Sequence, residues 1–367
     1  MVGFTEPAID AADETRVKAL IDKAVCTSVL EREEILALLR ANTWQAESLF
    51  SAADQVRMET VGDTIHLRGI VEFSNFCGRN CLYCGMRVGN ALVERYRMPT
   101  DEVVRICESM RGLGLKSVLL ESGEDPTYTV ESLCKMIEAI RKNTELEVSL
   151  SVGDRPAAEL QALKEAGAGK YLLKHETSDS ALYERLHPEM NLSDRMRRLG
   201  ELKKIGFEVG GGSLVGLPGQ SIHSLVEDLL LFQGYEVDMA VIGPYIPASG
   251  TPMALEGGTW MRRPTVTLSV FDKKHTVAEF VLKLLALTRL LLPETRIPST
   301  TALASFLPQG REMGLLAGAN MVMLNFTPAR YKELFRVYDD RISIRESAED
   351  ALATVRILGE KLGRRVC

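Results

Sequence analysis

From residue 66 onward the chain alternates short β-rich runs with amphipathic helices, eight times over. The strand candidates are 66–73, 117–121, 147–152, 170–174, 208–215, 239–242, 297–300 and 321–324. Helix-period stretches lie at 100–113, 129–142, 155–166, 193–205, 221–231, 277–291 and 310–317, and 345–362 reads as a terminal helix. Apolar strands separated by helical crossovers bury both faces only in a parallel sheet covered by those helices. Eight such units predict an α/β fold of the (βα)8 TIM-barrel type, with an open doubly wound sheet as the rival. Residues 1–60 carry helical patterns at 15–24, 31–39 and 43–58 and no strand-like run. The expected organisation is therefore an N-terminal helical segment over 1–60, a barrel over 61–335 and a C-terminal helical tail over 336–367. A connector at 251–275, with Gly257, Gly258 and Pro264, is too long for an ordinary loop and is expected to be mobile.

Composition narrows the function. Lys and Arg number 44 against 50 Asp and Glu, so the formal charge is −6, and aromatic residues make up 6%. Neither a basic excess nor a stacking surface for bases is present, which argues against nucleic acid as a partner. The most apolar stretch, 280–292, is interrupted by Lys283 and Arg289 and is too short to span a bilayer. The first residues lack the basic start and apolar run of a signal peptide. A cytoplasmic protein without a membrane partner is expected.

The seven cysteines are Cys26, Cys77, Cys81, Cys84, Cys107, Cys134 and Cys367. An odd number, with three crowded together, is a poor disulfide framework and a good metal-binding one. The cluster Cys77-Gly-Arg-Asn-Cys81-Leu-Tyr83-Cys84 follows directly on the first strand. In a barrel that is the C-terminal mouth, where active sites are built. Three thiolates on one loop suit an iron–sulfur cluster, and three ligands on a four-iron cluster leave one iron open to a small molecule. The bland alternative is a zinc site with His175 as fourth ligand. Cys26, Cys107 and Cys134 read as core residues, and Cys367 as a free thiol.

The other strand ends collect polar and flexible residues. Strand two ends in Ser122-Gly123-Glu124-Asp125, which reads equally as a turn with a helix cap. Strand four alternates Lys170, Leu172, Lys174 and Glu176 on one face with Tyr171 and Leu173 on the other. If the first face is the inner one, buried lysines need an anionic partner or ligand. The alternative leaves Lys170 at the solvated barrel bottom and Lys174 paired with Glu176. Strand five runs into a glycine-rich stretch, 210–219, that lacks the Gly-Lys-Ser/Thr ending of a phosphate loop. Strand seven ends in Ser299-Thr300-Thr301.

The C-x3-C-x2-C spacing, with Tyr83 before the last cysteine, resembles the signature of the radical S-adenosylmethionine (SAM) enzymes. Ordered blocks at 72–85, 122–126, 171–177, 212–220, 242–247, 297–301 and 318–328 are similar, more specifically, to the HydE family of [FeFe]-hydrogenase maturases. Single blocks are shared with biotin synthase and methylornithine synthase. The resemblance implies one [4Fe–4S] cluster held by Cys77, Cys81 and Cys84. It implies SAM bound by Tyr83, Ser122, Gly123, Glu124, Asp125, Ser151, Glu176 and Arg195, the last pairing the SAM carboxylate. Read alone, Arg195 is equally a solvated helix charge beside Arg197 and Arg198. The resemblance also implies a substrate or anion set of Ser149, Lys170, Lys174, Thr300, Thr301 and Met323, the two lysines standing where the family carries arginines. Three further C-terminal cysteines of some members are absent from 341–352, so a single cluster is expected.

The implied activity is radical chemistry in assembly of the diiron site of [FeFe]-hydrogenase, on an organometallic iron species bearing cysteine, CO and cyanide. Other hydrogenase maturases and an electron donor are the implied partners, and a monomer is expected. The alternatives are a mutase or sulfur-insertion enzyme on an amino-acid-like substrate, and a non-catalytic iron–sulfur scaffold.

Overall fold

The computed structural model describes residues 14–256 and 276–367. Eight parallel strands form the barrel: β1 (Thr64–Ser74), β2 (Ser117–Ser122), β3 (Glu147–Ser151), β4 (Ala168–Leu172), β5 (Glu208–Val215), β6 (Met239–Pro244), β7 (Pro298–Ser299) and β8 (Met321–Asn325). Their order is β6-β5-β4-β3-β2-β1-β8-β7, with every pairing parallel. A parallel bridge between Met239 and Arg296 brings β6 against the approach to β7, so the ring is nearly closed. Sequential order around a ring, without a reversal, is the barrel topology and not the doubly wound one.

The period-two reading of the strands decides what lies inside. On β4, Tyr171 and Leu173 pack outward among the helices, while Leu172 points into the lumen. Ile70, Leu119, Leu172, Met239 and Met321 form an apolar layer across the barrel. Above it lies a large cavity; below it lies a narrow polar space. On β1 a Cβ at Gly69 would come within 2.5 Å of Met110 Sδ, so the glycine lets the helix Thr100–Gly112 close onto the strand.

The helix Val277–Leu291 is buried at every position except Glu279. Its outer side is covered by the N-terminal helices Glu14–Thr27, Arg32–Leu39 and Thr43–Val61, which explains its apolar run without a membrane. Lys283, inside this contact, donates to the carbonyls of Leu39 (3.1 Å) and Ala41 (2.6 Å). No helix among the described residues is long and apolar enough to cross a membrane.

Several expectations need correction. The helical tail after residue 335 also carries a strand and a cavity residue: Arg365–Val366 forms β9, which pairs with β1, and Arg341 reaches the barrel cavity. Short helices at Ser180–Leu186, Pro252–Glu256, Thr301–Phe306, Ala329–Lys332 and Ile342–Arg345 were not legible, because so few residues show no helical period. Most of the long connector, 257–275, lies outside the described residues. Cys107 is buried in its helix and Cys134 partly so, but Cys26 is exposed on the outer face of the first helix.

Candidate active site at the C-terminal mouth of the barrel

The upper cavity encloses about 300 Å³ and is walled by Cys77, Cys81 and Cys84 on one side. The cysteine loop is pinned to its neighbours by backbone bonds. Gly78 N donates to Glu124 O (2.9 Å), Leu82 N to Leu186 O (2.9 Å) and Gly85 N to Val337 O (3.1 Å). A Cβ at Gly123 would lie 2.3 Å from Phe76 O and 2.6 Å from Cys77 Cβ, so only glycine lets the β2 end approach the triad.

The three thiols suit a cationic group. Burial, followed by the nearness of Cys77, pushes the Cys84 thiol up to about 12, and burial followed by Cys84 and Cys77 raises Cys81 as well. A cationic metal centre would offset that penalty on the thiolates. Among the described residues no three His, Cys, Asp or Glu side chains converge on a single ion. The zinc alternative also finds no fourth ligand in His175, which is fully buried behind β4, 3.3 Å from Asp228 Oδ1 and edge-on to Phe232. A cluster in which each thiolate binds a different iron needs no such convergence.

Most of the expected SAM residues meet at this cavity. Tyr83, Ser122, Gly123, Glu124, Ser151, Glu176 and Arg195 all line it. Glu176 adopts a left-handed backbone (φ 64°), which costs a non-glycine residue about 1–2 kcal/mol. It is held there by bonds to both sides of the β5 end: Glu176 N donates to Gly212 O and Leu214 N to Glu176 O, each at 2.9 Å. Its Oε2 and the Oγ of Ser213 are buried in the cavity wall without hydrogen-bond partners among the described residues. Such strain and orphaned polarity mark a ligand-binding position. Arg195, 8% exposed, donates through Nε to the Tyr183 hydroxyl (3.1 Å) and is not the solvated helix charge. Glu124 pairs with Arg79 and accepts from Asp154 N (2.9 Å), joining the cysteine loop to the β3 end.

Asp125 is the exception. It faces away from the cavity, accepting from Arg97 (2.7 and 3.0 Å), Ser74 Oγ (2.7 Å) and Thr127 N (3.0 Å). With its oxygens so occupied the side chain braces the loop and is not part of the cavity wall.

The substrate set divides at the apolar layer. Lys174, Thr300, Thr301 and Met323 line the upper cavity. Lys174 stands 3.7 Å from Glu176, whose charge keeps its pKa raised. Ser149 and Lys170 do not join them: both lie below the layer, in the small polar space with Arg68 and Arg296. There Lys170 pairs with Glu147 (2.8 Å) and Glu208 (3.3 Å). The expected joint anion floor of two lysines is therefore corrected to one cavity lysine and one lysine neutralised by carboxylates at the barrel bottom.

Other residues of the cavity wall escaped the sequence reading. Glu72 and Arg341 form a buried ion pair with Tyr338 and Glu121 near it, and His187, beside Tyr83 and Tyr183, lines the same cavity. Burial raises Glu121 above the usual carboxylate range. The inward spacing Arg68, Ile70, Glu72 on β1 is the same period-two signal that marked β4, and it could have found Glu72. Arg341 lies beyond the last strand and carried no such signal.

The comparisons with known proteins follow this geometry. Residues 71–232 match the family model of the radical SAM superfamily. The chain is 41% identical to the [FeFe] hydrogenase maturase subunit HydE of Thermotoga maritima, over 87% of this chain and 86% of that one. It is 28% identical to the 3-methylornithine synthase of Methanosarcina barkeri, over 94% of each chain. The crystal structure of methylornithine synthase (PylB) superposes with a TM-score of 0.80 at 27% identity, covering 95% of this chain and 97% of that one.

Proposed function

The chain belongs to the HydE family of radical SAM enzymes, and on that premise we propose that it acts in assembling the diiron site of [FeFe]-hydrogenase. As a radical SAM enzyme it uses a [4Fe–4S] cluster and SAM, which together supply a 5′-deoxyadenosyl radical when bound. The substrate we propose is the small organometallic iron species with cysteine, CO and cyanide. Other maturases and an electron donor are its proposed partners, the enzyme acts as a monomer, and a thiol-rich site of this kind belongs in the reducing cytoplasm.

In this reading Cys77, Cys81 and Cys84 hold the cluster. Arg195 offers the SAM carboxylate a planar pair of donors. Ser151 and the strained Glu176 bind nearer its ribose and methionine portions. Lys174 draws an anionic substrate towards Thr300, Thr301 and Met323, over the apolar layer that stops it passing further down the barrel. The barrel wall keeps water from a reactive intermediate.

The observation that carries the proposal is the convergence of the cysteine triad, Arg195, Glu176 and Lys174 on one cavity. The test is anaerobic complementation of a host that lacks its own HydE, scored by hydrogenase activity. Restored activity that is lost in Cys81→Ala supports the proposal; no restoration by soluble, cluster-loaded protein rejects it. A second reading, a mutase on an amino-acid-like substrate, is favoured by the fit to methylornithine synthase over nearly the whole chain. Formation of methylornithine by the reconstituted enzyme would establish it instead.

A further inference from the structure

Four carboxyl side chains, Glu72, Glu121, Glu124 and Glu176, line the upper cavity, and three of them have a cationic partner. Glu72 pairs with Arg341, Glu124 with Arg79, and Glu176 with Lys174 (3.7 Å). The Glu121 carboxyl has neither an ion pair nor a hydrogen bond among the described residues. Burial raises its pKa, the nearby Lys174 opposes the rise, and Glu72 adds to it. An acid kept in such a place destabilises the empty protein unless a bound group compensates it.

The strand period says where that group sits. Leu119 belongs to the apolar layer, and Glu121 is the next inward residue of β2, roughly 7 Å further along at about 3.3 Å per residue. Glu72 stands one inward step above Ile70 on β1, and its register partner on β2 is Glu121. Lys174 stands one inward step above Leu172, just past the end of β4. These three side chains form a charged floor over the apolar layer. Gly123 and Glu124 lie beyond the end of β2, against the cysteine loop, where Gly78 N donates to Glu124 O (2.9 Å). Of the two floor carboxyls Glu72 is the fixed one: it holds Arg341, its carbonyl accepts from the Tyr96 hydroxyl (2.6 Å) and its N–H donates to Thr327 Oγ1 (2.9 Å). Glu121 is the one left for a ligand.

We propose that this floor receives an amino-acid moiety of the substrate, with Glu121 accepting from its amino group and Lys174 facing its carboxylate. An amino group brings N–H donors and, when protonated, the positive charge that Glu121 lacks. A simple anion would satisfy Lys174 but would be repelled by Glu121, so the two side chains together select a ligand that carries both kinds of group. The inference rests on the proposed function, in which the substrate bears cysteine, and it holds equally for the mutase on an amino-acid-like substrate.

The test uses anaerobic, cluster-loaded protein with SAM and no reductant, so that nothing turns over during titration. Calorimetry compares S-methyl-L-cysteine, which has no free thiol to attack the cluster, with methylthiopropionate, its analogue without the amino group; L-lysine is a second amino-acid probe. Native protein should bind S-methyl-L-cysteine or L-lysine. Glu121→Gln should bind that amino acid about tenfold more weakly or worse, with its affinities for methylthiopropionate and SAM at the native level. Glu121→Asp, which keeps the charge, should retain part of the native affinity. The unfolding midpoint of metal-free Glu121→Gln should equal or exceed the native one, because the variant no longer buries an unmatched acid. Equal amino-acid affinity in native protein and Glu121→Gln, or no binding of either amino acid by native protein, overturns the proposal. So does a loss of SAM affinity in Glu121→Gln, since the carboxyl would then serve the cofactor, and so does a lowered midpoint with native probe affinity, which assigns Glu121 to the fold. A protein that restores no hydrogenase activity, yet shows the expected loss in Glu121→Gln, refutes the diiron-site reading and leaves the amino-acid floor standing.

Discussion

The Tyr83 hydroxyl and His187 Nε2 lie 3.0 Å apart, and this contact ties the cysteine loop to the end of the helix Ser180–Leu186. His187 Nδ1 is 2.8 Å from Tyr183 O, which can only accept, so Nδ1 carries the proton and Nε2 accepts from Tyr83. The imidazole stacks on the Tyr183 ring at 4.1 Å, and the Tyr183 hydroxyl receives Arg195. A residue between two cysteines of the triad is thus connected, through one histidine and one tyrosine, to the arginine proposed for the SAM carboxylate.

A double-mutant cycle tests this connection. Leaving one partner of a buried hydrogen bond unsatisfied costs about 1–3 kcal/mol, so Tyr83→Phe and His187→Phe should each lower stability by that order. The double variant should lose less than the sum, because the bond is broken only once. Urea unfolding of the metal-free proteins measures all four states; strict additivity would show that the bond contributes nothing.

The same histidine makes stability depend on pH. Burial lowers the His187 pKa to about 4, against an ordinary value of 6.5. Between these values the unfolded chain binds a proton that the folded chain refuses. Stability is thus unaffected by this group above about pH 6.5 and falls below it by about 1.4 kcal/mol per pH unit, until about pH 4. Unfolding curves from pH 7 to 4.5 should show this slope in native protein and a shallower one in His187→Asn.

Iron content tests the single-cluster reading. Three thiolates hold one [4Fe–4S] cluster, so anaerobic reconstitution should give about four irons per chain, lost when the three cysteines become alanine. About eight irons per chain, half of them retained in the triple variant, would place a second cluster elsewhere.

Arg195→Ala should keep the cluster yet bind SAM about 10- to 100-fold more weakly, the equivalent of a charge-assisted hydrogen bond of about 1.5–3 kcal/mol. Calorimetry with cluster-loaded protein reads this directly, and unchanged affinity would remove Arg195 from the site.

Lys170 in β4 and Lys174 just beyond its end should now behave differently. Lys170→Met breaks pairs with half-exposed carboxylates, so it should change stability by no more than about 1 kcal/mol and leave hydrogenase maturation intact. Lys174→Met should keep the cluster and SAM cleavage but lose maturation. Equal maturation in both variants would make Lys174 structural as well.

The eightfold β/α pattern, the inward face of β4 and the place of the cysteine triad at a strand end were all legible in the sequence, because strand and helix periods and chemical type are local properties. The closure of the ring and the apolar layer were not. That layer draws Ile70, Leu119, Leu172, Met239 and Met321 from five strands, and no local signal orders residues by height along a barrel axis. Height is what separated Lys170 from Lys174, although the period of two puts them on one face of the segment that runs through β4 and just past its end. Likewise Asp125 and Glu124 are neighbours in sequence, yet a turn of the chain sends one to Arg97 and the other to the cavity. Arg341 entered the lumen only because the segment after β8 folds back over the barrel mouth to meet Glu72, 269 residues earlier. The sequence by itself determined the kinds of groups available and the face each strand residue takes; tertiary packing decided which of them share a cavity and which are neutralised elsewhere, because charge pairing and depth depend on distant segments brought together in space.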